Sequence, residues 1–220
     1  SKFGVHHNAD GTLLTDSRPE TIRKSVEGSL KRLGTDHIDL YYQHRIDPMI
    51  EPEEVAGVMS DLIKDGKICA WGVSEAGMSY IRRADKVCSI TAVQNRFSMM
   101  YRNYGDMLPE LDAMGIAFVA HSPLANGFLS GRYDKSSRFD KRYDYRSSMP
   151  QFKAESIDKN SELLELLNRM SELKQATPAQ ISLSWLIAKG IIPIPGTRKN
   201  TRLKENMGAV DIKLTQNEVS

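Results

Sequence analysis

Short apolar runs of strand length alternate with helically periodic segments along most of the chain, and this alternation constrains the fold more than any other feature. Ser17-Arg18-Pro19-Glu20 reads as a capping box with an early proline. The helix it opens repeats Ile22, Val26, Leu30 and Leu33 at helical spacing, and Gly34 closes it. Ile38 to His44 then reads as a strand, Glu53 to Lys64 as a helix and Ile68 to Val73 as a strand. Met78 to Asp85 reads as a helix, Ile90 to Gln94 as a strand, Tyr104 to Met114 as a helix and Gly115 to Ala120 as an apolar strand. Beyond the polar stretch Ser122 to Ser156, helices are expected over Ile157 to Lys174 and Pro178 to Lys189. A strand at Ile191 to Pro195 and a helix around Arg202 end the series. Such alternation means right-handed βαβ units and a parallel sheet covered by helices. No internal repeat or linker divides the chain, so residues 1–220 read as one domain. The stretch 122–156 is too long for a plain connection and reads as a functional loop or a surface insertion.

In a parallel α/β fold, chemistry collects at the carboxyl ends of strands. Lys2, His44, Ser74 with Glu75, Gln94 with Asn95, His121 with Ser122, and Gly196 with Thr197 occupy six successive strand ends. This makes a ring of polar and titratable groups, which favours a functional over a purely structural reading of His44. At the last of these ends, Gly196-Thr197-Arg198-Lys199 leads into a helix that carries Arg202. A helix N-terminus offers unpaired N–H groups and a positive dipole end. With the Thr197 hydroxyl and three cations it suits a phosphate monoester, such as the 2′-phosphate that distinguishes NADP from NAD; the same pattern also reads as an ordinary strand–helix connection with a solvated basic face.

Composition excludes several classes. Of 220 residues, 40% are hydrophobic and 26% charged, an ordinary globular balance. Thirty Lys and Arg against 28 Asp and Glu leave a net charge of +2, which argues for neither nucleic acid nor an acidic membrane as a partner. Two cysteines, Cys69 and Cys88, make no disulfide framework and fit a reducing cytoplasm. No apolar run reaches membrane-spanning length, and no signal-peptide pattern opens the chain. Ser1-Lys2-Phe3-Gly4 reads as the last residues of a strand. Thr215 with Glu218 reads as a capping box whose helix is absent. Both ends therefore look like cuts in a longer protein.

The chain resembles the aldo-keto reductases of the bacterial and plant type. The resemblance rests on Ser-Lys-Phe-Gly at 1–4, Ser-Leu-Lys-Arg-Leu-Gly at 29–34 and Asp-His-Ile-Asp-Leu-Tyr-Tyr-Gln-His-Arg-Ile-Asp at 36–47. It continues with Gly-Val-Ser-Glu-Ala at 72–76, Ala-Val-Gln-Asn at 92–95 and Ser-Pro-Leu-Ala-Asn-Gly-Phe-Leu-Ser-Gly at 122–131. Thr-Pro-Ala-Gln at 177–180 and Pro-Ile-Pro-Gly-Thr at 193–197 complete it. The resemblance implies a (β/α)8 TIM barrel, here without its first two βα units. It implies an NADPH cofactor and reduction of a small-molecule aldehyde or ketone to the alcohol by hydride transfer.

Of the four catalytic residues the resemblance implies, Lys2 matches the lysine and His44 the histidine. The aspartate and the tyrosine belong to positions before Lys2. The tyrosine, with an ordinary pKa of about 10, is the general acid, and a neighbouring ammonium lowers its pKa. Without it the 220 residues alone are expected to be inactive. Ser74 and Gln94 match the nicotinamide contacts, whereas Glu75 stands where many relatives carry asparagine. Ser122, Leu124, Asn126, Gly127 and Leu129 match the loop over the pyrophosphate, and His121 takes the place of a stacking aromatic. Gly196, Thr197, Arg198 and Arg202 match the 2′-phosphate clamp, and Glu205 and Asn206 match adenine contacts. No metal site is implied. A different class stays open: a reductase-like module that holds nucleotide without turnover.

Overall fold

The computed structural model describes residues 1–8 and 10–220. The chain begins with β1 (Lys2–Phe3), β2 (Val5–His7), β3 (Leu13–Thr15), α1 (Pro19–Leu33), β4 (Ile38–Gln43) and α2 (Pro52–Lys64). Next come β5 (Ile68–Ser74), α3 (Met78–Asp85), β6 (Ala92–Arg96), α4 (Leu108–Ala113) and β7 (Ala117–His121). The remainder holds α5 (Ala154–Lys159), α6 (Ser161–Lys174), α7 (Pro178–Ala188), β8 (Ile192–Pro193), α8 (Asn200–Met207) and α9 (Gln216–Val219).

The main sheet runs β1-β4-β5-β6-β7-β8 in hydrogen-bonding order. Its parallel register places Lys2 beside Tyr42, Ile38 beside Ile68 and Gly72 beside Ala92. This is the strand–helix alternation of a (β/α)8 barrel, with six main-sheet strands among the described residues. Gly72 is required by packing: a Cβ there would lie 2.5 Å from the Ala92 carbonyl oxygen and 2.6 Å from the Tyr42 ring.

The described residues fall into two compact units, 1–95 with 104–119, and 96–103 with 120–220. The chain passes from one to the other and back, so no linker marks the division in the sequence. In the first unit Ile22 and Val26 of α1, Tyr41 of β4, Met59 and Leu62 of α2, and Trp71 of β5 are fully enclosed. In the second, Phe128, Leu129, Ile157, Leu167 and Ile181 form the core, and the Trp185 indole N–H donates to the Val219 carbonyl at 2.9 Å.

Several sequence expectations need correction. The N-cap of α1 is Arg18, not Ser17, and no side chain caps it. Ser17 is instead buried, its backbone N–H donating to Asp47 Oδ2 at 2.9 Å and its Oγ accepting from Gln43 at 3.0 Å. Leu33, placed on the buried stripe of α1, is exposed. The helix expected over 157–174 is two, broken at Asn160, whose side chain donates back to the Ser156 carbonyl at 2.6 Å. Only Gly105–Met107 and α4 form within the helix expected at 104–114, the first as a 3-10 turn. β8 is two residues long because Pro193 and Pro195 have no N–H to extend a ladder. The capping box of Thr215 and Glu218 does carry a helical turn, α9.

The sequence pattern does not reveal the β2–β3 hairpin, whose strands are too short for periodicity. Gly4 leads into it in a left-handed conformation, φ +85°. The stretch 122–156 is built around aromatic rings. Phe152 packs edge-on against Phe128, Tyr133 and Phe139, and the Arg146 guanidinium lies 4.6 Å from the Phe139 ring centre.

Candidate functional site

The first unit gathers Lys2, His44, Ser74 and Gln94 at neighbouring strand ends. The Lys2 Nζ donates to Gln94 Oε1 at 2.5 Å. Lys2 as a residue is exposed, yet its ammonium is turned into this cluster. Burial of that end, and then the charge of Arg45, hold the lysine below its ordinary pKa range. His44 follows β4, and its backbone N–H donates to the Phe3 carbonyl at 2.9 Å, which fixes it beside the end of β1. Arg45 Nη1 donates to the His44 carbonyl at 2.8 Å and to Ser74 Oγ at 3.3 Å. Ser74 has no exposed surface, and Gln94 almost none.

The turn after β5 is held in an unusual conformation. Glu75 has φ +57°, a region a β-carbon disfavours. Its N–H donates to the Gln94 carbonyl at 3.2 Å, and the Tyr104 hydroxyl donates to its carboxylate at 3.2 Å. Asn95, fully buried, spends its side-chain amide on both backbone groups of Ala76, at 3.0 and 3.3 Å. Strained backbone that its surroundings over-determine in this way is concentrated at functional sites.

The second unit contains a cavity of about 690 Å3. One wall follows β7: Ser122, Leu124, Asn126 and Gly127. The facing wall is Gly196, Thr197, Arg198, Lys199 and Arg202, with Glu205 and Asn206 of α8. Ser122, Ala125 and Asn126 all have positive φ, 53°, 48° and 61°, so the loop after β7 is a tight, strained turn. His121 Nδ1 lies 3.2 Å from Ser122 Oγ. The Thr197 hydroxyl accepts from the Lys199 N–H at 3.1 Å, bending the chain into α8.

Ten of the sequence-predicted residues thus share one cavity. His121 and Leu129 do not line it. Leu129 corrects the sequence reading: its side chain is fully enclosed in the core, so it packs the loop from beneath.

Three further contributors escaped the sequence reading. Arg132 pairs with Glu205 at 3.2 Å, and the Tyr145 hydroxyl accepts from the Asn126 amide at 3.0 Å. Arg45 joins two strand ends, and its place directly after His44 was the available signal. Arg132 and Tyr145 had none, because the folding of a long loop sets their contacts.

The donor set in this cavity fits a phosphate group. Guanidinium and ammonium groups, a hydroxyl and the start of a helix converge there, and among the described residues no cluster suits a metal ion. No described helix is long and apolar enough to cross a membrane.

The model of the Aldo/keto reductase family matches residues 1–220. "Probable aldo-keto reductase 1" of Glycine max is 36% identical over 225 residues, covering all of this chain and 64% of the relative. "Aldo-keto reductase str7" of Strobilurus tenacellus is 38% identical over 208 residues, covering 92% of this chain and 62% of that one. The chain therefore spans less than two thirds of the length of these relatives. Among solved structures, the glycerol dehydrogenase AKR11B4 from Gluconobacter oxydans superposes with a TM-score of 0.92 at 27% identity, over 99% of this chain and 68% of that one. The thermostable aldo-keto reductase Tm1743, in complex with the inhibitor epalrestat, gives 0.73 at 26% identity, over 92% and 65%.

Proposed function

The chain belongs to the aldo/keto reductase family, and from that membership we propose that the protein carrying it reduces aldehydes or ketones to alcohols with NADPH. The observation that carries this reading is the Lys2 ammonium held on Gln94, one strand from His44. An ammonium in this position stabilises a neighbouring phenolate or alkoxide, and burial and the charge of Arg45 lower the Lys2 pKa from its ordinary value.

In this reading the cofactor supplies the hydride, and the side chains supply position and charge. His44 would donate to the carbonyl oxygen of the substrate and orient it. Lys2 lowers the pKa of the general acid beside it, a tyrosine in the resemblance drawn above. Ser74 and Gln94 hold the carboxamide of the nicotinamide. The turn from Ser122 to Gly127 binds the pyrophosphate. Arg198, Arg202 and the Thr197 hydroxyl bind the 2′-phosphate, with Glu205 and Asn206 on the adenine. The clamp's net positive charge favours NADPH over NADH, since only NADPH brings two further negative charges to it.

The test is consumption of NADPH by the protein carrying this chain when an aromatic aldehyde is added. Turnover that depends on aldehyde and disappears in Lys2→Met supports the reading. Tight NADPH binding without turnover would favour a module that only holds nucleotide.

A further inference from the structure

Arg45 has no role in the reading above, yet it touches two of its participants. Its Nη1 bridges the His44 carbonyl oxygen, 2.8 Å away, and Ser74 Oγ, 3.3 Å away. It therefore ties the end of β4 to the end of β5. Ser74 is fully enclosed, so its hydroxyl can take few orientations, and a guanidinium donor on Oγ leaves the hydroxyl proton to point elsewhere. Arg45 also brings a permanent positive charge to these strand ends, close enough to Lys2 to disfavour its protonation.

We propose that Arg45 is a positioning residue for the nicotinamide end of the cofactor. It fixes the Ser74 hydroxyl as a donor, and its charge favours the neutral dihydronicotinamide over the cationic oxidised ring. The proposal rests on the reading of Ser74 as a nicotinamide contact. The chemistry is general: reduction of a carbonyl turns a neutral ring into a cation, and a fixed cation nearby opposes that charge. Binding of the spent cofactor is weakened and its release favoured.

The experiment compares Arg45→Met, Arg45→Lys and Ser74→Ala in the protein carrying this chain. The ligands are NADPH, NADP+ and adenosine 2′,5′-bisphosphate, which lacks the nicotinamide. Arg45→Met is expected to weaken NADPH about three- to tenfold, the worth of one lost hydrogen bond, and to leave the bisphosphate unchanged. The preference for NADPH over NADP+ is expected to fall by at least about threefold in Arg45→Met and to survive in Arg45→Lys, which keeps the charge. An unchanged preference in Arg45→Met overturns the proposal, as does equal weakening of all three ligands. If Ser74→Ala weakens NADPH while Arg45→Met does not, this inference fails and the nicotinamide reading stands. If Ser74→Ala leaves NADPH untouched, the nicotinamide reading itself fails.

Discussion

Lys2 Nζ and Gln94 Oε1 lie 2.5 Å apart, joining the first strand of the main sheet to the fourth through side chains. The bond aims an ammonium on a short, solvent-accessible strand, where a flexible lysine would otherwise sample many rotamers. Gln94→Leu removes the acceptor and keeps the approximate volume. Lys2 then loses its fixed position, and kcat at saturating NADPH is expected to fall at least tenfold, since about 1 Å of misplacement can cost 100-fold; loss of the nicotinamide contact of Gln94 would appear separately, as weaker NADPH binding. Steady-state kinetics check this, with circular dichroism to show that the fold persists.

The clamp in the second unit predicts cofactor selectivity. Arg198→Ala and Arg202→Ala are each expected to weaken NADPH by roughly 1.5–3 kcal/mol, the range for hydrogen bonds to charged groups. NADH, without the 2′-phosphate, is expected to lose little. Titration of both cofactors decides the matter, and equal losses would remove these residues from the clamp.

His44 is predicted to act on the carbonyl and not on the cofactor. His44→Ala is expected to lower kcat by two orders of magnitude or more, in line with ~2.7–4 kcal/mol for a lost oxyanion donor, and to leave NADPH affinity nearly unchanged. Loss of NADPH binding with an intact rate at saturating cofactor would contradict the assignment.

The root of the β2–β3 hairpin predicts stability. Asp47 is almost fully buried and accepts from the N–H groups of Ser17 and Met49, at 2.9 and 3.0 Å. Asp47→Ala leaves the buried Ser17 N–H unpaired and is expected to cost about 1–3 kcal/mol in urea unfolding. At the same junction Asp16 accepts from Arg18 and Thr21, and the Arg18 guanidinium beside it holds its pKa well below the usual carboxylate range. The folded chain binds this proton less tightly than the unfolded chain. Its stabilisation is therefore complete above the ordinary carboxylate pKa and is lost as pH falls toward the lowered one. Asp16→Asn is expected to flatten the acid side of the stability–pH profile, as read by unfolding midpoints between neutral pH and acid.

The sheet was legible in the sequence because buried strands are apolar runs and their helices repeat every three to four residues, as Ile22, Val26 and Leu30 do. Boundaries were less so. Asn160 breaks a helix by bonding to its own backbone, and Ser17 is drawn from a cap to Gln43 and Asp47, partners 26 and 30 residues away. The strand-end residues were legible one by one, since each ends an apolar run. The contacts of Arg45 with Ser74 and of Arg132 with Glu205 were not, because they span 29 and 73 residues and no local pattern encodes them. Leu129 looked like its loop neighbours but points into the core.

The proposed reaction is hydride transfer from NADPH to a carbonyl carbon at a site that includes Lys2. The most direct test uses NADPH in which both hydrogens of the reactive nicotinamide carbon are deuterium, an aromatic aldehyde, and mass analysis of the alcohol formed by the protein carrying this chain. One deuterium is expected on the alcohol carbon, with a rate at least 100-fold slower in Lys2→Met while NADPH is still bound. NADPH oxidation that leaves no deuterium in the alcohol, or an unchanged rate in Lys2→Met, would contradict it.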